Sequence, residues 1–255
     1  MDSNKPQSLI TIILAGGLGK RMNSDLPKVL HIVKGKPMIC NVIDRAIELG
    51  SNKILIIVGK YRELIQNTIS PFYEDSIYND YFVFITQKEP QGTGDALYCC
   101  INWLSMNIKN IQCRILILNG DVPFIQTDTL RDFINFKPFS NILMVYEKDE
   151  PKGYGRIIMD KETGYIEKII EEKECTEEQR LIHSVNCGIY CVDFPTLLDS
   201  LPKINNRNAA REYYLTDIIE ISFSENGFTP YILSKEKHIE IANINTKEDL
   251  MKYNL

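Results

Sequence analysis

Five short apolar runs recur through the first half of the chain, and segments with helical patterning alternate with them. Between the first two runs, Met38 to Leu49 places apolar residues on one helical face, and Gly50 follows as a natural stop. This rhythm is typical of parallel strands joined by crossover helices. The sequence therefore predicts an α/β fold with a Rossmann-like, mostly parallel sheet and flanking helices. The predicted strands are Leu9 to Ala15, Lys53 to Val58, Tyr81 to Thr86, Arg114 to Asn119 and Asn141 to Tyr146, with further helices over Asp95 to Met106 and Thr127 to Phe136.

A glycine-rich loop follows the first predicted strand. The run Leu14 to Arg21 holds three glycines, and Lys28 comes shortly after it. Glycine lets the backbone turn sharply and bring N–H groups up to phosphate oxygens. Arg21 and Lys28 would offset negative charge that otherwise repels an incoming nucleophile. The loop favours binding of a nucleoside triphosphate, although a plain strand-to-helix turn also uses glycine.

A carboxylate follows the strand predicted over Arg114 to Asn119, at Asp121. In such sheets ligands gather beyond the carboxyl ends of the strands, so the glycine loop, Gln87 to Gly94 and residues 119–121 are expected to share one crevice. Asp121 is well placed there to hold a divalent cation, because Mg²⁺ prefers one or two carboxylates plus phosphate oxygens and water. A turn or helix-capping role is the alternative for this aspartate.

The second half of the chain has shorter strand patterns and more turn residues. Strands predicted over Gly155 to Met159, Tyr165 to Ile170 and His183 to Val192 indicate a small β-rich annex laid over the crevice. With no Pro- or Gly-rich linker, residues 1–255 are expected to form a single domain, with parts at about 1–150, 151–225 and 226–255. The last part is expected to return to the main sheet through Tyr214 to Phe223, Phe228 to Leu233, Ile239 to Ala242 and Thr246 to Tyr253.

Asn245 follows the short strand predicted over Ile239 to Ala242. It is a candidate for a second oxygen ligand of the cation, or simply a neighbour of a helix cap, since Thr246 and Asp249 have the spacing of a capping box. The three histidines of the chain lie in no evident acid/base motif, and core or surface roles are expected for His31 and His183. Transfer to an already ionised phosphate oxygen needs alignment and charge cancellation, and no general base.

Composition limits the other classes of function. The net charge of −5 argues against coating of nucleic acid, which depends on a basic face. Met1 to Ser8 is polar, and no apolar run approaches a signal core or a membrane span, so a cytoplasmic protein without a membrane partner is expected. The seven cysteines include no C-x-x-C pair and are expected to be reduced core residues.

The segment Leu14 to Met22, with Ser24 to His31, resembles the signature of the sugar-1-phosphate nucleotidyltransferases. It is most similar to the uridyltransferase domain of the bacterial N-acetylglucosamine-1-phosphate uridyltransferases. The resemblance implies the nucleotide-diphospho-sugar transferase fold, UTP and a sugar 1-phosphate as substrates, and Mg²⁺ as cofactor. It extends over nearly the whole chain, through Gln87, Gly92 to Gly94, Gly120 to Pro123, Gly153 to Ile157, Glu171 to Lys173, Asn186 to Ile189 and Glu212 to Ile219.

The resemblance also implies roles for individual residues. Mg²⁺ would be held by Asp121 and Asn245, and the catalytic set would be Arg21, Lys28 and Asp121. N-acetylglucosamine 1-phosphate would contact Gly155, Glu171, Asn186 and Thr216. The nucleotide would contact Leu14, Ala15, Gly16, Gly17, Gly19, Arg21, Lys28, Gln87, Gly92, Thr93 and Asn119, with uracil recognised by Gln87, Gly92 and Thr93.

Three positions depart from the resemblance: Lys20 and Cys187 stand where threonine is usual, and Asp95 where histidine is usual. The expected reaction converts UTP and N-acetylglucosamine 1-phosphate to UDP-N-acetylglucosamine and pyrophosphate. Another sugar 1-phosphate or nucleotide, or a non-catalytic sensor of nucleotide sugars, are the alternatives. The bifunctional bacterial enzymes continue into a left-handed β-helix, whereas this chain stops at Leu255, so neither acetyl transfer nor the trimer of that β-helix is expected. A monomer and a dimer both remain open.

Overall fold

The computed structural model describes residues 8–17, 19–109, 111–137 and 140–253, and the side chain of Lys20 is outside the description. The expectations for the N-terminus therefore lie outside the described residues for positions 1–7. The strands are β1 (Leu9–Leu14), β2 (Ile32–Val33), β3 (Lys36–Pro37), β4 (Lys53–Val58), β5 (Phe82–Thr86), β6 (Arg114–Asn119), β7 (Asn141–Glu147), β8 (Arg156–Met159), β9 (Ile166–Ile170), β10 (Ser184–Asp193) and β11 (Phe228–Ile232). The α-helices are α1 (Met38–Glu48), α2 (Arg62–Ile69), α3 (Asp75–Tyr81), α4 (Thr93–Tyr98), α5 (Ile101–Asn107), α6 (Thr127–Asn135), α7 (Glu177–Arg180), α8 (Phe194–Ser200), α9 (Asp217–Asn226) and α10 (Lys247–Tyr253).

One nine-stranded sheet organises the molecule, in the order β5-β4-β1-β6-β10-β7-β11-β9-β8. The first four strands in this order run parallel, and Leu14 at the end of β1 is in register with Ile57 on one side and Asn119 on the other. The carboxyl ends of these strands therefore lie at one edge of the sheet, as the strand-and-helix rhythm predicts.

The remainder of the sheet is antiparallel in most of its pairings. Strand β10 lies between β6 and β7 and is antiparallel to both, while β11 is parallel to β7. The α/β class is confirmed, but the sheet is mixed where mostly parallel pairing was expected. The predicted annex is likewise continuous with the main sheet, because β8 and β9 extend its far end and β8 also pairs with β10.

Both faces of the sheet are covered. Neighbouring residues of β1 point to opposite faces, so Ile13 packs in one apolar cluster with residues of α1 and α6, and Ile12 in a second with residues of α4, α5, α8 and α9. Ile12 and Ile13 are both inaccessible to solvent. The seven cysteines are free thiols, and all of them except Cys99 are buried, as expected for core residues. No helix in the described ranges is long and apolar enough to cross a membrane.

Several predicted boundaries are wrong. The helix expected over Asp95 to Met106 is two helices, α4 and α5, because the chain turns at residues 99 and 100 with a tighter Cys100 N–H to Leu97 C=O bond of 2.9 Å. The strand expected over Ile239 to Ala242 lies instead in a 3₁₀ helix, Lys235–Ile241. Ala242 N–H donates to the Ile239 carbonyl at 3.1 Å, so this segment closes a local turn instead of pairing with a strand.

Candidate active site

A cleft of about 600 Å³ opens at the carboxyl ends of the parallel strands and reaches across to β8 and β10. Of the predicted site residues, only Gly19 and Thr216 are absent from its lining. The structure therefore brings together at the cleft Leu14, Ala15, Gly16, Gly17, Arg21, Lys28, Gln87, Gly92, Thr93, Asn119, Asp121, Gly155, Glu171, Asn186 and Asn245.

Gly19 supports the cleft from behind. Its φ of +57° lies in the left-handed region, and an added Cβ would approach the Lys28 Cβ to 2.7 Å. A larger residue there would displace Lys28, so glycine at this position governs where the ammonium group lies.

On one side of the cleft, two positively charged side chains meet two side chains that offer oxygen atoms. Lys28 Nζ donates to the carboxylate of Asp121 and, over 3.0 Å, to Asn245 Oδ1. The Arg21 guanidinium also donates to Asn245 Oδ1, at 3.0 Å. Asp121 is buried, with an exposed fraction of 9%. Because a buried charge is costly without a partner, the contact with Lys28 compensates this carboxylate.

The position of Asn245 depends on the end of the chain. Ile244 N–H donates to the backbone carbonyl of Asp121 at 3.1 Å, and its side chain is fully buried. The predicted capping box is confirmed as well, because Thr246 N–H donates to Asp249 at 3.0 Å and Asp249 N–H donates to the Thr246 hydroxyl at 3.1 Å. Asn245 is thus both a neighbour of the α10 cap and a residue of the cleft.

The donor set of Asp121 and Asn245 suits a hard divalent cation. Both offer oxygen, but no group of three or more His, Cys, Asp or Glu side chains within the described residues could form a complete metal cage. Such a partial set fits an ion that takes its other ligands from phosphate oxygens and water, as Mg²⁺ does.

A turn at the start of α4 forms another wall of the cleft. Gly92 has a φ of +119°, and an added Cβ would lie 2.4 Å from the Tyr213 carbonyl oxygen. Gly94 N–H donates to that carbonyl at 2.8 Å, and Leu215 N–H donates to the Thr93 hydroxyl at 3.0 Å. Residues 213–215 therefore hold the turn against the cleft.

On the opposite side, Glu171 and Asn186 face the cleft. Burial raises the pKa of Glu171, while a 3.0 Å bond from the Thr216 hydroxyl favours its ionised form. Thr216 is buried and acts behind the wall rather than in it. Asn186 Oδ1 accepts from Gly188 N–H at 2.7 Å, across the irregular part of β10.

A loop that the sequence analysis left without a role also lines the cleft, at Lys152 to Tyr154. Glu172 anchors it by accepting from Gly153 N–H at 3.0 Å and from the buried Arg156 guanidinium at 2.8 Å. Because Gly153 to Ile157 belongs to the segments that carry the family resemblance, that signal could have found this loop. Glu212 and Asn243 are further lining residues without an assigned role.

None of the three histidines lines the cleft. Burial lowers the pKa of His31, and His183 and His238 contact backbone carbonyls at exposed positions. The cleft therefore offers charge compensation and alignment of substrates, with no histidine in place for proton transfer.

Strand ends that meet a glycine loop, two cations and a carboxylate define an α/β nucleotide-binding protein. Residues 10–236 match the family described as nucleotidyl transferase, and the chain belongs to this family of enzymes. A protein from Acanthamoeba polyphaga mimivirus, described as "Probable UDP-N-acetylglucosamine pyrophosphorylase", is 44% identical over 254 residues, which are 97% of this chain and 96% of that protein.

Two further comparisons extend this result. Bifunctional protein GlmU of Caldanaerobacter subterraneus is 37% identical over 247 residues, and the chain spans about half of that relative, 50% of its length. The fold is similar to a Bacillus anthracis crystal structure described as "Putative Glucose-1-Phosphate Thymidylyltransferase", in complex with a sucrose. The TM-score is 0.74 at 21% identity, and the match covers 97% of this chain and 94% of the other.

Proposed function

We propose that this chain transfers the uridylyl group of UTP to N-acetylglucosamine 1-phosphate, releasing pyrophosphate and forming UDP-N-acetylglucosamine. The mimivirus relative, similar over 97% of the chain, is named for this product. The single observation that carries the proposal is the meeting of Lys28 with Asp121 and Asn245 beside Arg21, since it collects the charges that two phosphorylated substrates require.

The reaction is an in-line displacement at the α-phosphorus. An oxygen of the sugar phosphate forms the new bond, and the bond from the α-phosphorus to the β-phosphate oxygen breaks. Lys28 and Arg21 stabilise the charge that develops on the departing pyrophosphate. Asp121 and Asn245 would hold Mg²⁺, which supplies neutralisation of phosphate charge when bound.

The two substrates occupy opposite ends of the cleft. The glycine loop and the turn at Gly92 receive the nucleotide, with the backbone N–H groups of Gly16 and Gly17 near the phosphates. Glu171 and Asn186 receive the sugar, because a carboxylate accepts hydrogen bonds from two adjacent hydroxyls.

The free thiols of the chain support a reducing compartment such as the cytoplasm.

The test is pyrophosphate release with a matrix of substrates. UTP, CTP, dTTP, ATP and GTP are each paired with N-acetylglucosamine 1-phosphate and glucose 1-phosphate in the presence of Mg²⁺. We expect the highest kcat/KM for UTP with N-acetylglucosamine 1-phosphate. A higher value for dTTP with glucose 1-phosphate would overturn the substrate assignment.

The role of Asp121 is tested with Asp121→Asn, which keeps the shape of the side chain. We expect kcat to fall by about a thousandfold or more, because the neutral amide holds Mg²⁺ more weakly and less of the phosphate charge is then cancelled. Thermal unfolding of the variant checks that it is folded.

Wild-type protein that binds UDP-N-acetylglucosamine but releases no pyrophosphate at any Mg²⁺ concentration would identify a sensor instead of an enzyme.

A further inference from the structure

Asp95 has no part in the displacement described above, yet it contacts a residue of the nucleotide end of the cleft. It lies in the first turn of α4, half-buried, and its carboxylate Oδ2 accepts from Gln87 Nε2 at 2.7 Å. Gln87 Nε2 also donates to the Gly92 carbonyl oxygen at 3.1 Å. Gln87 itself is buried, with an exposed fraction of 6%, and lines the cleft.

These two contacts determine which way the Gln87 amide points. An ionised carboxylate and a backbone carbonyl can only accept hydrogen bonds, so each requires an N–H of the Gln87 amide. The amide has only two N–H groups, and both are then used. A flipped amide would place its oxygen against two other oxygens in a buried position, which is costly.

The remaining polar atom of the amide is the acceptor Oε1. It lies beside the glycine loop, where a Cβ added to Gly16 would come to 3.4 Å from it. Among the hydrogen bonds of the described residues, those of the Gln87 side chain use Nε2, so Oε1 is left to meet a ligand in the cleft. The cleft wall therefore presents a fixed acceptor and no side-chain donor at this point.

We propose, on the basis of the proposed function, that Asp95 is a positioning residue that makes the enzyme select pyrimidines with an N–H at ring position 3. Uracil carries this N–H between two carbonyl groups and can donate it to Gln87 Oε1. Cytosine has a lone pair at the same ring position, which Oε1 repels. Without Asp95, the Gln87 amide could turn over and offer an N–H to cytosine.

A purely structural role for Asp95 makes a different prediction. An acidic residue in the first turn of a helix stabilises that helix through the partial positive charge of its N-terminus. If this were its only role, replacing Asp95 would lower stability and affect UTP and CTP alike. The choice between uracil and cytosine therefore separates the two roles.

The experiment uses Asp95→Asn, which is isosteric and can turn its own NH₂ toward Gln87. We expect the ratio of kcat/KM for UTP to that for CTP to fall about tenfold or more, mainly through KM. The KM for the sugar phosphate should change less than about twofold, since the substitution leaves the sugar end of the cleft unchanged. Asp95→Ala, which leaves the Gln87 amide only its bond to the Gly92 carbonyl, should lower the ratio in the same direction.

The matched control is Glu89→Gln. Glu89 is an exposed acidic residue of the loop that joins β5 to α4, and it accepts from Gln91 Nε2 at 3.2 Å rather than from Gln87. Glu89→Gln removes one negative charge, as Asp95→Asn does, but does not release the Gln87 amide. The variant should therefore keep the wild-type ratio of kcat/KM for UTP to that for CTP. Thermal unfolding of all variants reports any loss of fold.

Binding of UDP and CDP, measured by calorimetry, separates this inference from the proposed function. Absence of turnover in the wild type would refute the function, and the UDP-to-CDP affinity ratio would still test Asp95. If folded Asp95→Asn and Asp95→Ala both keep the wild-type nucleotide ratio, the inference is overturned, whatever the activity with UTP.

Discussion

The ammonium group of Lys28 lies between the two proposed metal ligands, Asp121 and Asn245. In the protein without substrates, Lys28 therefore supplies the positive charge that compensates the buried carboxylate. Nucleotide phosphates would offer this lysine a second set of oxygen partners on the other side. Binding of a divalent cation and binding of nucleotide are then coupled through one side chain.

This coupling leads to a prediction about Lys28→Met. We expect Mn²⁺, used as a probe for Mg²⁺, to bind the nucleotide-free variant about tenfold more tightly than the wild type, because a competing cation at the ligands is gone. Calorimetric titration measures the affinity. Arg21→Met is the comparison: Arg21 donates to Asn245 but not to the charged Asp121, so this variant should gain less affinity than Lys28→Met. Equal affinities in wild type and Lys28→Met would contradict the prediction.

Glu171 leads to a prediction about pH. Burial raises its pKa above the ordinary 4.5, so on acidification the carboxylate takes up its proton earlier than an exposed glutamate does. The ionised form accepts sugar hydroxyls, whereas the protonated form has lost part of that capacity. We expect the KM for the sugar phosphate to rise as the pH falls toward that raised pKa.

Glu171→Gln provides the comparison, since the phosphate of the substrate titrates equally with both proteins. At pH 8 the KM of the variant should exceed that of the wild type by about tenfold, because a charge-assisted hydrogen bond is lost. The ratio of the two KM values should approach one as the pH falls and Glu171 becomes neutral. A ratio independent of pH would show that Glu171 does not act through its charge.

At the scale of elements, the turn that leads into α4 is held in place by residues that are distant in the sequence. Residues 213–215 bond to both Thr93 and Gly94, so the first turn of α4 has a fixed position relative to the nucleotide end of the cleft. The close approach is possible because Gly92 has no side chain. The helix and the segment before α9 therefore act as one unit.

We expect Gly92→Ala to lower the free energy of unfolding by about 2 kcal/mol or more, because backbone strain adds to a steric clash with Tyr213. Gly50→Ala is the control: Gly50 also has a positive φ, +78°, but an added Cβ there meets nothing within 4 Å. It should cost only about 1 kcal/mol. Urea denaturation measures both, and similar losses in the two variants would contradict the importance of the Tyr213 contact.

At the scale of the whole molecule, the insertion of β10 joins the two halves of the chain. Strand β10 lies between β6 and β7 and pairs with both. A chain that ended before β10 would leave β6 and β7 each without one neighbouring strand. Exposed edges of this kind are unstable and prone to aggregation. The expected single domain over residues 1–255 remains a prediction, and the sheet order supports it.

A fragment of residues 1–150 should accordingly fail to fold by itself, and the full chain should unfold in one cooperative transition. Circular dichroism and the dispersion of amide resonances measure the first, and urea denaturation followed by two probes measures the second. Co-expression with residues 151–255 is the control and should restore soluble, folded protein. A fragment 1–150 with native-like dispersion would show instead that the two halves are independent.

Much of the fold and cleft could be predicted from local sequence. The strands Lys53–Val58 and Arg114–Asn119 were predicted at their observed ends, because their runs of buried aliphatic residues stop at clear changes of polarity. The strand expected over Ile239 to Ala242 was wrong, since apolar character alone does not reveal whether a short segment pairs with a strand or closes a local turn. The roles of the predicted site residues remain proposals.

By itself, the sequence determined the elements that depend on neighbouring residues: the buried strands, the amphipathic α1, the glycine loop and the cap of α10. The tertiary structure decided the place of β10, the contact of Lys28 with Asn245 across 217 positions, and the Asp95 bond that orients Gln87. Periodicity and turn chemistry act over a few residues, so they are legible along the chain. Strand order and side-chain partners depend on which surfaces meet after folding, and these are known only from the assembled molecule.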